Sequence, residues 1–253
     1  MLVIPVIDIK DGKCARVFEG HNQLSDYYCE SPLKVARLFR KENFKTIHIT
    51  DLDGAINGEL RNYAIIKEIV DTVGVPIQLG GGVRNFDNAK RLIEDLGIYR
   101  LVLGTAGITN PQLVEQILNT YSPSKLVICI DEKLNDVVKN GWLEYSGIAP
   151  LEFARRIDAM GVQRIIYQDV TRVGNLSGPH IARLKELGEN TNLKITAAGG
   201  VGNYKHLKEL QDLKDYGVDS VMISRGIYEN CFPCQNIWRD VERMDISLDL
   251  PKV

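Results

Sequence analysis

No stretch of these 253 residues is apolar for long enough to cross a bilayer. The N-terminal run Met1-Leu2-Val3-Ile4-Pro5-Val6-Ile7 has no basic lead before it meets Asp8, so it is expected to be a strand and not a signal peptide. Membrane partners are set aside on these grounds. Blocks of Lys and Arg are missing too, and the formal net charge is -2. Nucleic acid is therefore not an expected partner, because its affinity rests on neutralising several phosphates at once. A small phosphorylated ligand remains compatible, since backbone amides can hold it. Cysteine is sparse, odd in number and scattered, at Cys14, Cys29, Cys129, Cys231 and Cys234, which suits a reducing cytoplasm. The C-x-x-C spacing of Cys231 and Cys234 has no second pair, and His21, His48, His180 and His206 are spread apart, so no metal site is expected. No linker rich in Pro, Gly or Ser divides the chain, which is read as one domain over 1–253. A dinucleotide fold would need Gly-x-Gly-x-x-Gly after the first strand, and that is also missing.

What the chain does have is a near-repetition of itself. Val75-Pro76-Ile77-Gln78-Leu79-Gly80-Gly81-Gly82-Val83-Arg84-Asn85 is answered by Leu193-Lys194-Ile195-Thr196-Ala197-Ala198-Gly199-Gly200-Val201-Gly202-Asn203. Each copy continues through a helical stretch into another apolar strand and a small-residue loop, Gly104-Thr105-Ala106 in one and Ser224-Arg225-Gly226 in the other. An internal repeat outweighs local propensity as a guide to fold. The two copies define half-units of about 1–122 and 123–253.

Short apolar runs alternate with amphipathic stretches along the whole chain. Strands are expected at Val3–Asp8, Thr46–Asp51, Pro76–Leu79, Leu101–Gly104, Leu126–Asp131, Arg164–Asp169, Lys194–Ala197 and Ser220–Ser224. Helices are expected at Pro32–Glu42, Arg61–Val73, Phe86–Leu96, Pro111–Thr120, Pro150–Met160, Pro179–Leu187 and Tyr204–Tyr216, with Ser31, Asn110 and Ala149 preceding a proline at or near helix starts. Alternation of this kind gives a parallel sheet, and eight units in a chain of this length fit an α/β fold, the closed (β/α)8 barrel. A barrel closed on itself needs no partner to complete its sheet, so a monomer is expected. Its active site must lie at the C-terminal ends of the strands.

Those ends carry the candidate chemistry. Asp8 closes the first strand and Asp131 the fifth, its half-repeat partner, so two carboxylates face one mouth. Such a pair can divide acid and base duty if their surroundings hold one protonated and the other ionised. Asp51 and Asp169 end the second and sixth strands at equivalent points and suit a shared role in bracing loops; Asp169 and Thr171 are also candidates for substrate contact. Gly81, Gly82 and Arg84, with Gly104 and Thr105, form one candidate phosphate site. Gly199 and Gly200, with Ser224 and Arg225, form the other, because glycine lets backbone N–H groups approach an anion. Two phosphate sites predict a ligand with two phosphates. Arg16, in the loop after strand one, and Trp142, in the loop after strand five, are candidate substrate contacts, the indole being able to stack on a planar heterocycle.

Taken together, Ile4-Pro5-x-Ile7-Asp8-x-Lys10-Asp11-Gly12-Lys13, Asp51-Leu52-Asp53-Gly54-Ala55, Gly80-Gly81-Gly82-Val83-Arg84, Gly104-Thr105-Ala106, Gly141-Trp142 and Leu176-Ser177-Gly178-Pro179 resemble the ProFAR isomerase family of histidine biosynthesis over nearly the whole chain. The resemblance implies an Amadori rearrangement without metal or organic cofactor: the ribosylamine ring of a substrate with two phosphoribosyl groups opens and becomes a ribulosyl ketose. It implies Asp8 as the base that removes the C2 proton. The acid is either Asp131 or an aspartate in the loop after strand six. That loop departs from the family pattern, with Val173-Gly174 where Asp-Gly is usual and Gln168 where a Thr is usual. Gly20-His21 stands in place of Gly-Asp, and Ser224-Arg225-Gly226 in place of Gly-Lys/Arg-Ala. Valine exchanges no proton, so a disabled bis-phosphate-binding barrel and a paralogue acting on a smaller substrate, such as a phosphoribosylanthranilate isomerase, both stay open beside the isomerase.

Overall fold

A computed structural model describes residues 1–18 and 27–232 of the chain. Eight parallel strands close on themselves: β1 (Leu2–Lys10), β2 (Ile47–Asp51), β3 (Ile77–Gly80), β4 (Arg100–Leu103), β5 (Leu126–Lys133), β6 (Arg164–Asp169), β7 (Lys194–Ala198) and β8 (Val218–Ile223). Each pairs with the next, and β8 pairs with β1 to shut the ring. The α/β barrel expected from the alternation is thus the fold. Helices follow the strands in turn: α1 (Pro32–Lys41), α2 (Tyr63–Val73), α3 (Phe86–Lys90, continued by a π-helical turn at Arg91–Asp95), α4 (Pro111–Thr120), α5 (Pro150–Ala159), α6 (Ile181–Asn190) and α7 (Tyr204–Gln211).

Alternation along each strand sorts the core into two layers. On β1, Ile7 and Ile9 join the large cluster between barrel and helices, while Ile4 and Val6 point inside the barrel with Val102, Val127, Ile166, Ala198 and Met222. Below them the barrel floor is plugged by Arg164, whose guanidinium reaches both oxygens of Asp219 at 2.6 Å and also donates to Thr196 and Ser220. The same alternation decides which strand-end side chains reach the mouth. Asp8 shares the inward face with Ile4 and Val6, and Asp131 shares it with Val127 and Cys129.

The two halves are capped alike. Asn85 and Asn203, each following a Gly-Gly loop, accept from the backbone N–H three residues on and so start α3 and α7. Two hairpins over the mouth were not foreseen: Lys13–Ala15 folds back on β1, and Asp136–Lys139 folds back on β5. Their turns, Asp11-Gly12 and Leu134-Asn135, have positive φ at both residues, the conformation that two-residue hairpin turns require. Asp11-Gly12 is the sequence signal that could have revealed the first. Helix α6 starts two residues later than expected from Pro179, because the preceding Gly178 donates its backbone N–H to Gly200 O at 2.8 Å and ties that segment to the β7 loop.

Candidate active site

A cavity of about 370 Å³ opens at the C-terminal ends of the strands. Asp8 and Asp131 line it together with Gly81, Gly82, Arg84, Gly104 and Thr105 from the β3 and β4 loops, Gly199, Gly200, Ser224 and Arg225 from the β7 and β8 loops, and Trp142. Most of the residues singled out in the sequence therefore meet in one place. Backbone geometry explains the glycines: Gly81 has φ +104, and a Cβ there would lie 2.2 Å from Asp51 O.

The two carboxylates are held differently. Asp8 receives hydrogen bonds from the hydroxyls of Thr50 and Ser224, yet burial outweighs them and pushes its pKa up from 3.8 to about 6. Asp131 accepts from Trp142 Nε1 on Oδ2 at 3.1 Å and from Gln168 Nε2 on Oδ1 at 3.0 Å, with Cys129 Sγ 3.4 Å from Oδ1. Burial raises its pKa too, against the pull of these donors. Trp142 is the last of three consecutive residues in the left-handed region, Asn140, Gly141 and Trp142, with φ of 52, 65 and 69. Outside glycine such backbone costs about 1–3 kcal/mol and is concentrated at working loops. Thr105 anchors this loop by accepting from Asn140 N at 2.9 Å.

Three expected substrate contacts lie elsewhere. Asp169 and Thr171 are not on the cavity wall. On β6 the inward face belongs to Ile166 and Gln168, so Asp169 turns outward and accepts from Thr171 N and Oγ1 at 3.0 and 2.6 Å and from Arg172 Nε at 3.1 Å. Asp51 does the matching job after β2, accepting from Gly54 N, Arg61 N and both nitrogens of Asn62. Bracing thus accounts for every oxygen of Asp169. Arg16 is off the wall as well. It pairs with Glu229 at 2.7 Å and lies over the Phe18 ring, 4.7 Å from its centroid. Arg225 joins the same carboxylate at 2.8 Å and also donates to Gly174 O. Val173 lines the cavity and brings no titratable group to it. Gly20-His21 and Cys234 lie outside the described residues.

Sequence reading passed over His48 and Thr50, which line the cavity, and Gln78, buried beside His48. Their signal was parity: His48 and Thr50 occupy alternate positions of β2, opposite Val6 and Asp8 of β1. Among the described residues, no group of three or more His, Cys, Asp or Glu is arranged to hold a metal ion, and no helix is long and apolar enough to cross a membrane.

Comparison with known proteins places this geometry in context. The profile of a family described as "Histidine biosynthesis protein" matches residues 2–233. A Chlorobium chlorochromatii protein named 1-(5-phosphoribosyl)-5-((5-phosphoribosylamino)methylideneamino) imidazole-4-carboxamide isomerase is 44% identical over 250 residues, covering 98% of this chain and 96% of the relative. Proteins of the same name from Pelodictyon phaeoclathratiforme and Salinibacter ruber are 44% and 40% identical, again over 98% of this chain and 96% of each relative.

Proposed function

This chain belongs to the histidine biosynthesis protein family, and we propose that it is the ProFAR isomerase of that pathway, converting the phosphoribosylamino arm of its substrate to the ribulosyl form. The reaction shifts hydrogen within one molecule. A proton delivered to the furanose ring oxygen opens the ring to a protonated imine, removal of the C2 proton gives an enolamine, and protonation of that enolamine at C1 with loss of the C2 hydroxyl proton leaves a ketone. No electrons enter or leave, and an acid and a base suffice.

The observation that carries the reading is the pairing of two inward strand-end carboxylates in one cavity between two Gly-rich loop pairs, in a chain alike over its full length to named isomerases. Asp8 acts as base: with a pKa of about 6 it is mostly ionised at neutral pH yet basic enough to take a proton. Asp131 acts as acid, because Val173 leaves the β6 loop without one. Its N–H donors favour the carboxylate, so loading it with a proton requires one to leave. Trp142, on its strained loop, does so when it turns to stack on the substrate's imidazole ring. The loops at Gly81, Gly82, Gly104 and Thr105, and at Gly199, Gly200, Ser224 and Arg225, hold one phosphate each. The two halves of the chain, 1–122 and 123–253, contribute one phosphate site each to a single domain working as a cytoplasmic monomer.

Steady-state turnover of ProFAR by the purified chain, with Val173→Asp alongside, tests this. Turnover by the chain as it stands is the expected result and assigns acid duty to Asp131. Activity confined to Val173→Asp would move that duty to the β6 loop, and silence in both would overturn the reading.

A further inference from the structure

We propose that Gln78, His48 and Thr50 form a hydrogen-bond chain of fixed direction ending on Asp8, and that His48 is a positioning residue acting on that carboxylate through Thr50. The proposal rests on the reading of Asp8 as the base. Strand register brings the four together: Asp8 lies beside Thr50 and Val6 beside His48 across β1 and β2, and His48 lies beside Gln78 across β2 and β3. His48 and Gln78 are buried, 4% and 1% exposed. Gln78 Nε2 is 3.0 Å from His48 Nδ1, His48 Nε2 is 3.2 Å from Thr50 Oγ1, and the Thr50 hydroxyl bonds to Asp8.

Donor chemistry then sets the direction. A carboxamide nitrogen only donates, so His48 Nδ1 must accept and carries no proton. Burial drives the His48 pKa down to about 3, which leaves a neutral ring with its one proton on Nε2. That proton is given to Thr50 Oγ1, and the hydroxyl proton of Thr50 is left for Asp8. The imidazole works here as a fixed dipole and not as an acid or base. One oxygen of Asp8 is pinned from below, so the carboxylate plane is set before substrate arrives, and the charged form is supported where burial opposes it.

The other groups around Asp8 do not substitute for this. Cys14 and Tyr228, the titratable side chains that sense its charge, are pushed up in pKa by burial and remain neutral. Ser224 adds a second hydroxyl from the β8 loop. Asp131, Arg84, Lys139 and Arg225 line the same cavity.

Nitrogen NMR of the His48 ring, with carboxyl-carbon NMR titration of Asp8 and the pH profile of kcat/KM, tests the chain in wild type, Thr50→Val, Thr50→Ser and Gln78→Met. The expected ring signature is the Nε2–H tautomer, unchanged between about pH 5 and 8. Thr50→Val should raise the Asp8 midpoint and the acidic limb of the profile by about one unit, the effect of losing one hydrogen bond to a charged acceptor. Thr50→Ser should restore both, and Gln78→Met should give a smaller rise with mixed tautomers. An Nδ1–H ring, or an unmoved midpoint in a folded Thr50→Val, overturns the proposal. Should Thr50→Val not fold, the wild-type ring signature and Gln78→Met still decide. The NMR titration needs no turnover: shifts without isomerase activity would sink the functional reading alone, and turnover without shifts would sink the chain alone.

Discussion

Asp8 and Asp131 occupy the same position in the two halves of the barrel and keep different company. Asp8 is met by hydroxyls, from Thr50 and Ser224; Asp131 is met by the N–H groups of Trp142 and Gln168. The Ser224 hydroxyl can serve either form of a carboxyl group, by donating to the ionised form or accepting from the protonated one, whereas an N–H, or the Thr50 hydroxyl with its direction set by His48, serves only the ionised form. Equivalent strand ends therefore give a carboxyl the same place, and the neighbouring strands decide what it can do there. The outward pair, Asp51 and Asp169, shows the reverse: both are spent on loop bracing, so there equivalent position goes with equivalent role.

The largest test of that contrast is removal of each inward carboxylate. Asp8→Asn is expected to lower kcat on ProFAR by about a thousandfold or more while leaving substrate affinity nearly intact, and Asp131→Asn by about a hundredfold, within the usual span for a general acid or base. Equal turnover in wild type and Asp8→Asn would end the assignment.

Asp8→Asn should also separate activity from stability. A carboxylate whose folded pKa lies above its unfolded value favours folding fully only below the unfolded value, and that contribution is lost as pH rises through the folded one. For Asp8 this window runs from 3.8 to about 6. The inactive variant is thus expected to melt at a higher temperature than wild type at neutral pH, and the gap should close below about pH 4. A gap that persists in acid would point to packing instead of charge.

The glycine loops sharpen the comparison at the next level. A methyl at Gly81 would meet Asp51 O at 2.2 Å, whereas one at Gly199 would meet Asp169 O at 3.2 Å, both at positive φ. Gly81→Ala should cost roughly 3 kcal/mol or more in denaturant unfolding and Gly199→Ala about 1–2 kcal/mol. Equal costs would mean that the two loops relax alike.

The smallest expected effect is at Trp142. Trp142→Phe keeps a ring for stacking and removes one N–H from Asp131, so the pKa of that carboxyl should rise. The basic limb of kcat/KM should then move to higher pH by about one unit or less. A downward shift would contradict acid duty for Asp131.

Much of this was legible in the chain. The eight strands were found within about two residues at each end, because apolar runs bounded by Gly, Asp and Asn report burial and turn chemistry locally. The inward carboxylates and both glycine loops were legible for the same reason. Asp169, Thr171 and Arg16 were drawn toward the substrate because they sit near the mouth in sequence, but proximity along the chain does not say which face of β6 a side chain takes or that Glu229 waits for Arg16. The hairpin at Leu134-Asn135 carried no glycine to announce it.

By itself, the amino-acid sequence determined the strand-and-helix alternation, the repeat, the two Gly loops and the placing of Asp8 and Asp131 at strand ends, since each depends on residues within one turn or one strand. Tertiary structure alone decided which neighbours those carboxylates meet. Register across β1, β2 and β3 brought Gln78, His48 and Thr50 into line below Asp8, and closure of β5 against β6 set Gln168 beside Asp131. A carboxyl pKa is set by burial and by the groups within hydrogen-bond reach, and only folding brings those groups together.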